Sequence, residues 1–170
     1  LQLHVQYCLD VSPRFEFVSV EQTLQPLDID CGSGIVARPT GSMDRARVAS
    51  TNDGHVIPDI KSGSRVIEDG RVKLSRHLPQ LGTYQLMYER TAGVHTVGGQ
   101  VLALHTGGRP QTAVSRVVDA KPVMLGADDR PGLIQYAAAM FRSGMFPPNP
   151  QSMLCSPKYC ARWSSCKFHE

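Results

Sequence analysis

Two residues near the middle of the chain have the types and spacing for phosphodiester hydrolysis. Asp59 and Lys61 follow the apolar run Val56-Ile57-Pro58, which lies between two turn signals and is typical of a buried strand. Residues two apart on a strand point to the same face. The Asp59 carboxylate and the backbone carbonyl of Ile60 are the hard oxygen ligands that Mg²⁺ prefers. A divalent cation acidifies water for attack on the phosphorus, and a lysine orients that water and offsets the developing charge.

A second acid is expected because one carboxylate seldom holds a divalent cation at a phosphate. Asp44, in the motif Gly-Ser-Met-Asp-Arg, is the candidate. Segments 44–48 and 55–60 are extended, and the Asn-Asp-Gly between them signals a turn. This pattern predicts a hairpin that brings Asp44 and Asp59 to neighbouring strands. Arg45 is expected on the opposite face, where it pairs with an acid or steadies the sheet.

The third pattern is predicted to lie on a helix. Pro79 suits a first helical turn, and Gln80 and Tyr84 are four residues apart, so they share one face. From the spacing alone, the two side chains can act together. An ordinary amphipathic helix face is the alternative interpretation.

In this order, Gly-x-x-Asp-Arg, Asp-x-Lys and Gln-x-x-x-Tyr resemble the RecB-like and phage exonuclease branch of the PD-(D/E)XK nuclease superfamily. The resemblance implies an α/β fold with a restriction-endonuclease-like core, a central mixed β-sheet flanked by helices. It implies that Asp44 and Asp59 hold Mg²⁺ or Mn²⁺ and that Lys61 is catalytic. Gln80 and Tyr84 would border the site. Each motif taken singly is common in proteins of other kinds.

The chain departs from this family at its start. In the family, a helix ahead of the first strand commonly supplies another metal-site Glu or His. Segment 1–10 predicts the end of a helix, so the sequence leaves open whether the first core helix is present, and His4 is its local candidate ligand. Glu21 lies on a strand predicted over 15–24. A similarly placed Glu in phage-type nucleases makes it a further candidate metal ligand, and a salt-bridged strand carboxylate is the alternative.

Three cysteines lie close together near the end of the sequence, at Cys155, Cys160 and Cys166. Some RecB-like nucleases hold a 4Fe-4S cluster with one upstream and three C-terminal cysteines, and by this resemblance Cys8 is the fourth ligand. The spacing differs from that family's, and a Zn²⁺ site with His169 nearby is a second interpretation. Free thiols in an intracellular protein are the third.

The remaining elements are predicted from local patterns. Segment 62–77 is polar and predicts a loop near the site, either solvated or in contact with phosphates. Segments 94–105 and 113–124 predict two paired strands. A helix is expected to start near Pro131 and to end at Gly144.

The bulk properties are those of one globular domain. The chain has 170 residues, 41% of them hydrophobic, and a formal net charge of +3. We expect a nuclease-like domain over 1–150 and a Cys-rich tail over 151–170 that packs on it. There is no apolar run of membrane-spanning length, so a membrane partner is not expected. Neither Gly pair lies in a phosphate-cradling motif, which argues against nucleotide binding of that kind.

The function predicted from these patterns is a metal-dependent DNA nuclease, an exonuclease by its resemblance. It would act in the cytoplasm of a bacterium or phage-infected cell in DNA recombination, repair or replication, with DNA as substrate and a recombination or helicase protein as partner. The alternative is a non-catalytic module with a nuclease fold that binds nucleic acid or supports assembly. A zinc-stabilised interaction protein organised by the tail is a third reading.

Overall fold

A computed structural model describes residues 2–149 and 152–168 and divides the chain into two compact units, Leu1–Ala138 and Ala139–Glu170. The longer strands of the first unit are β1 Phe17–Leu24, β4 Gly41–Val48, β5 His55–Gly63, β8 Thr96–His105 and β9 Gln111–Val114. Its two-residue strands are β2 Ile29–Asp30, β3 Val36–Ala37, β6 Ile67–Glu68 and β7 Arg71–Val72. Its helices are α1 Gln2–Asp10, α2 Leu78–Ala92 and α3 Lys121–Leu125, with 3-10 turns at Ser12–Arg14 and Ser75–His77.

The longer strands form one mixed sheet in the order β1-β4-β5-β8-β9. Strands β5 and β8 are parallel, and every other neighbouring pair is antiparallel. The parallel register places Asp59 beside Val101 and Lys61 beside Ala103. Because β8 borders β5, the candidate acid lies in the middle of the sheet. This mixed sheet with flanking helices is the predicted restriction-endonuclease-like α/β fold.

Helices cover both faces of the sheet. On one face, Tyr7 of α1 packs with Leu102 and Leu104 of β8. On the other, Leu81 of α2 packs with the alternate β8 residues Val101 and Ala103. Successive strand residues point to opposite faces, so the two clusters lie on opposite sides of β8. The sequence left open whether a helix precedes the first strand. The structure contains such a helix, α1, at Gln2–Asp10.

Two glycines let α2 lie directly on its neighbours. A Cβ atom on Gly99 of β8 would lie 2.8 Å from the Cβ atom of Leu81, and one on Gly82 of α2 would lie 2.4 Å from the carbonyl oxygen of Ala120. Both distances are shorter than van der Waals contact, so a larger residue would push the helix outward. Gly99 thus lets α2 lie close to β8, and Gly82 lets the segment that leads into α3 lie close to α2.

A hydrogen-bonded network fastens the C-terminal half of α2 to the sheet. The Glu89 carboxylate accepts hydrogen bonds from the Thr96 backbone N–H at 2.8 Å, the Thr96 hydroxyl at 2.7 Å and the Lys121 ammonium at 2.6 Å. The fully buried Gln85 donates to the Thr96 and Asp119 side chains and accepts from the backbone N–H of Ala120. Both polar side chains are therefore satisfied inside the fold.

The structure differs from the sequence prediction in two places. Segment 62–77 contains the small hairpin β6–β7, and Val66 and Ile67 at its base are buried against α2. The strand predicted over 113–124 ends at Val114, and Lys121–Leu125 is a helix. Pro122 lies in the first turn of that helix, where its missing N–H is tolerated, whereas a strand would lose a hydrogen bond there.

Helix α4, Leu133–Ser143, leads from the first unit into the second, which also contains the 3-10 turn Trp163–Ser165. Cys155, Cys160 and Cys166 are free thiols there. The packing of the tail on the preceding domain stays a prediction. Over the described ranges 2–149 and 152–168, the helices are too short or too polar to cross a membrane.

Replacing Glu89 by Gln should destabilise the protein in a pH-dependent way. Burial raises the pKa of this carboxyl, but the Lys121 and Thr96 donors outweigh burial and hold the pKa below its ordinary value of 4.5. A carboxyl with a lowered folded-state pKa stabilises the fold above its unfolded pKa, and that contribution is lost as the pH falls through the folded pKa. We expect Glu89→Gln to lower the Tm near pH 7, with a gap to the wild type that narrows below about pH 4.

Thermal unfolding followed by circular dichroism over this pH range measures the effect. Glu16→Gln, at an exposed carboxylate, is the matched control and should follow the wild-type curve. A Tm difference for Glu89→Gln that stays constant into acid would contradict the assigned role.

Candidate active site

Asp59 is a buried carboxylate in the middle of the sheet. It is 2% exposed, and the Lys61 ammonium lies 2.7 Å from its Oδ2 atom. Because the residues are two apart on β5, both side chains leave the same face, as the sequence predicted. Lys61 keeps 24% of its side chain exposed, so the ammonium lies where the buried acid meets solvent.

The pKa of Asp59 is raised, chiefly because burial disfavours the charged form. The Lys61 ammonium opposes this through its contact and its positive charge. The negative charge of Asp44 adds to the rise. The structure therefore pairs Asp59 with Lys61 and places Asp44 on the adjacent strand as a charged neighbour.

The hairpin brings Asp44 and Asp59 to neighbouring strands, as the sequence predicted. Strands β4 and β5 pair at Arg47 with Val56 and at Val48 with His55, next to the turn that joins them. The paired residues end at Arg47, before the acids are reached. Asp44 is exposed, so the pair combines one buried and one solvent-facing carboxylate.

Arg45 belongs to the opposite face of β4. It donates a hydrogen bond to the Tyr7 hydroxyl at 2.6 Å, and its guanidinium lies 5.4 Å from the Tyr7 ring centroid and 5.3 Å from that of Phe17. These contacts bind α1 to the sheet. The sequence predicted that Arg45 either pairs with an acid or steadies the sheet. These contacts show that it steadies the sheet.

Asp44 and Asp59 are the candidate oxygen ligands of a divalent cation. The buried Oδ2 atom of Asp59 has the Lys61 ammonium 2.7 Å away as its counter-charge. A divalent cation at this oxygen would add to the positive charge that a buried carboxylate requires. Asp44 would face the same cation from the solvent side. The Ile60 carbonyl remains a predicted third oxygen ligand.

Gln80 and Tyr84 lie on the first turns of α2 and contact each other. The Gln80 amide donates to the Tyr84 hydroxyl at 2.7 Å. Tyr84 packs against the core cluster that contains Ile57, two residues before Asp59 on the same face of β5. The predicted helix therefore lies over the strand that carries the acid, with its Gln–Tyr pair on that side.

His77 is a site neighbour that the motifs did not single out. It immediately precedes α2, and its pKa is lowered first by burial and then by the positive charges of Lys61 and Arg76. Its Nε2 atom is buried and has no hydrogen-bond partner in the described part of the chain. In the sequence, His77 was marked by its position just ahead of Pro79, at the start of a predicted helix.

Glu21 lies next to the candidate acids but does not complete a larger cluster. The β1–β4 pairs Val20 with Arg45 and Gln22 with Met43 place Glu21 across from Asp44. Its φ of 49° lies in the left-handed region, which is unusual for a non-glycine residue in a strand. Within residues 2–149 and 152–168, no three His, Cys, Asp or Glu side chains form a group able to hold a metal. Its role as a ligand stays a prediction.

The other predicted ligands lie elsewhere. His4 and Cys8 are on α1, with Cys8 Sγ 3.7 Å from His4 Nε2, and α1 packs on the face of the sheet opposite to α2. His4 therefore does not join Asp59. The cysteines of the second unit belong to no three-ligand group in the described ranges, and His169 lies outside the described residues. A cluster or zinc ion bound by these cysteines stays a prediction.

A mixed sheet with two acids and a lysine on adjacent strands defines the restriction-endonuclease-like class of α/β proteins. The family model for the PD-(D/E)XK nuclease superfamily matches residues 3–167. The chain belongs to the PD-(D/E)XK nuclease superfamily. No curated protein shows a significant sequence match to the chain.

Divalent cations should stabilise the protein through Asp59. A ligand that binds only the folded state raises the Tm with its concentration. We expect Mg²⁺ and Mn²⁺ to raise the Tm of the wild type and to leave that of Asp59→Asn unchanged, because the amide keeps the size but loses the charged ligand. Differential scanning fluorimetry with metal titration measures the shift. Asp129→Asn, at an exposed turn, should respond like the wild type, and an equal response from Asp59→Asn would rule out the cation site.

Proposed function

We propose that the protein is a metal-dependent DNA nuclease of the RecB-like and phage exonuclease branch. The observation that carries the proposal is the buried Asp59 carboxylate with the Lys61 ammonium 2.7 Å away, on which the negative charge of Asp44 acts from the adjacent strand. Membership of the superfamily makes nuclease chemistry the expected use of these groups. The order of the three motifs supports the finer assignment to this branch.

Asp44 and Asp59 would hold Mg²⁺ or Mn²⁺, together with the Ile60 carbonyl. The bound cation supplies Lewis acidity and lowers the pKa of water at the phosphate. Asp59 contributes a fixed carboxylate, because its burial in β5 leaves it little freedom to move. Asp44 contributes the carboxylate that is open to solvent and substrate.

Lys61 would stabilise the transition state. Hydrolysis forms a bond from a water oxygen to phosphorus and breaks the bond to the leaving sugar oxygen, which takes up a proton. Negative charge accumulates on the non-bridging oxygens during this exchange, and the ammonium near Asp59 offsets it. Gln80 and Tyr84, joined by their hydrogen bond, would line the side of the site formed by α2.

The biological setting is inferred from the same motif order. The proposed substrate is DNA, cut from an end, in phage or bacterial recombination, repair or replication. A recombination or helicase protein would be the partner, and the cytoplasm of the bacterium or infected host the compartment. The basic side chains near the hairpin β6–β7 (Arg65, Arg71, Lys73 and Arg76) supply positive charge suited to a phosphate backbone.

Cleavage should depend on all three converging side chains. We expect Asp44→Ala, Asp59→Ala and Lys61→Ala each to lower cleavage of linear duplex DNA in Mg²⁺ or Mn²⁺ by about a hundredfold or more, since each removes a group that acts on the transition state. Release of nucleotides from end-labelled DNA measures the rate, and Asp129→Asn is the control. Normal cleavage by both Asp59→Ala and Lys61→Ala would refute the assignment.

A nuclease fold that binds nucleic acid without cutting is the second candidate. It is favoured by the absence, among the described residues, of a group of three His, Cys, Asp or Glu side chains able to hold a metal ion. Under this alternative the wild type binds DNA equally with and without divalent cations and releases no nucleotides. Gel-shift and cleavage assays on one preparation therefore separate the two functions.

The cysteine-rich second unit is proposed to carry a 4Fe-4S cluster, with zinc as the alternative. Protein purified without oxygen should then contain iron with a broad visible absorbance, or zinc without one. Cys155→Ser, Cys160→Ser and Cys166→Ser should each lower the metal content, and Cys31→Ser in the first unit should not. Colourless protein free of both metals would exclude this part of the proposal.

A further inference from the structure

A cleft lies on the α1 face of the sheet, at the carboxyl ends of the parallel strands β5 and β8. Ser62 of β5 and Leu104 of β8 line it and are paired in the register of the two strands. Its volume is about 710 Å³, within the range of about 300–1,000 Å³ that is typical of small-molecule sites. Crevices at the carboxyl ends of parallel strands are frequent ligand sites in α/β sheets. We call it the α1 cleft.

Both walls of the α1 cleft are held in place by the fold. One wall is helix α1, which packs on β8 through the contact cluster of Tyr7 and Leu104. The other wall is the loop after β8, where the backbone N–H of Thr106 donates to the carbonyl oxygen of Gly63 at 3.1 Å. Arg109 lies further along this loop and lines the cleft. Its guanidinium is therefore carried by a loop whose base is fastened to the sheet.

The charged and hydroxyl groups of the α1 cleft favour an anionic ligand. Arg109 supplies a guanidinium and His4 an imidazole, and Ser62 and Thr106 supply hydroxyl groups. None of the described residues that line the cleft is acidic. A guanidinium can donate two parallel hydrogen bonds to a phosphate, and hydroxyl groups donate to its remaining oxygens. The polar part of the lining thus suits a phosphate group.

The rest of the lining combines apolar surface with two amides. Leu3, Leu104 and Pro110 offer apolar surface against which a flat ring can pack. Gln2 and Gln6 contribute side-chain amides, each with a donor and an acceptor group. Such amides pair with the hydrogen-bonding edge of a nucleobase. A nucleotide has both the phosphate and the ring that this lining would recognise.

The α1 cleft and the candidate active site lie on opposite faces of β5. Ser62 directly follows Lys61, and successive strand residues point to opposite faces. Ile60, on the same face as Ser62, packs in the cluster that contains Leu104. A ligand in the cleft therefore leaves the face of Asp59 and Lys61 open, and the two sites can be occupied together.

We propose that the α1 cleft is a second ligand site, which binds a nucleoside monophosphate with Arg109 at the phosphate and with Gln2 and Gln6 at the base. The choice of a nucleotide rests on the proposed function, because nucleotides are the products that a DNA nuclease releases when it acts from an end. The cationic lining and the separate face are properties of the fold. The same phosphate and base also occur at the end of a DNA strand.

Isothermal titration calorimetry with the four deoxynucleoside 5′-monophosphates, in buffer without divalent cations, tests the site. We expect the wild type to bind and Arg109→Gln to raise the Kd about tenfold or more, because it removes a charged donor to the phosphate. Arg90→Gln, at an exposed arginine in the last turn of α2, is the matched control and should keep the wild-type Kd. Asp59→Asn should also keep it, since Asp59 lies on the other face of β5.

A variant that fills the α1 cleft tests its location without removing a charge. Gln6→Trp places a large side chain at an exposed position of α1 that lines the cleft, so it should weaken nucleotide binding. Val5→Trp, at the neighbouring exposed position outside the lining, should bind like the wild type. Circular dichroism shows that each variant is folded. The site is overturned if the folded wild type binds none of the four nucleotides, if Arg109→Gln binds like the wild type, or if Gln6→Trp binds like Val5→Trp.

Competition experiments identify the source of the ligand. A short single strand with a 5′-phosphate that displaces the bound mononucleotide assigns the cleft to a strand end, and a strand that does not displace it assigns the cleft to the free nucleotide. Inorganic phosphate that binds as tightly as the nucleotides would overturn the assignment to a nucleotide. Loss of binding in Asp59→Asn would overturn the cleft as its location, because the nucleotide would then occupy the candidate active site.

Failure of this site and failure of the proposed function give different results. A wild type that cleaves DNA but binds no mononucleotide keeps the nuclease function and overturns the site. A wild type that binds mononucleotides through Arg109 but does not cleave DNA in Mg²⁺ or Mn²⁺ keeps the site and refutes the proposed function.

Discussion

Burial of the Asp59 carboxylate is the constraint on which the site depends. A charged group removed from water is stable only where other charges or dipoles replace its hydration. In this protein, the Lys61 ammonium, 2.7 Å from Oδ2, supplies part of that replacement. Burial still raises the pKa of Asp59, so the fold holds a carboxyl that is costly to ionise, as is typical of catalytic sites.

The scaffold around this carboxylate keeps the neighbouring groups in place. Helix α2 lies on the sheet at Gly99 and against Ala120 at Gly82, where side chains would force the elements apart. Its far half is held by the Glu89 and Gln85 hydrogen bonds. Because both halves of the helix are fixed, its N-terminal end, which begins just after His77, keeps its position on the sheet.

The two faces of β4 show how one strand serves both site and scaffold. Ala46 packs in the core cluster with Met87 and Tyr88 of α2, and Arg45 and Arg47 face the side of α1. Arg47 is 7% exposed, donates to the Gln100 side chain at 3.0 Å and lies 4.5 Å from the Phe15 ring centroid. Since side chains alternate along a strand, these arginines can anchor one face while Ala46 packs on the other.

Local sequence patterns were sufficient to predict β4, β5 and α2, the elements that carry the three motifs. The Asn-Asp-Gly turn determined the β4–β5 hairpin, the two-residue spacing placed Asp59 and Lys61 on one face, and Pro79 marked the start of α2. The four-residue spacing likewise predicted the contact between Gln80 and Tyr84. Such features depend on neighbours a few residues apart, and the sequence contains them directly.

The tertiary structure alone decided which of these groups meet and how deeply they are buried. The end of β9 at Val114, the burial of Asp59 and the approach of Asp44 all depend on contacts between residues far apart in the chain. His77 could not be recognised for the same reason, because the burial that lowers its pKa exists only once α2 is docked on the sheet. The sequence determined the identity and spacing of the chemical groups, and long-range packing determined the dielectric environment in which they act.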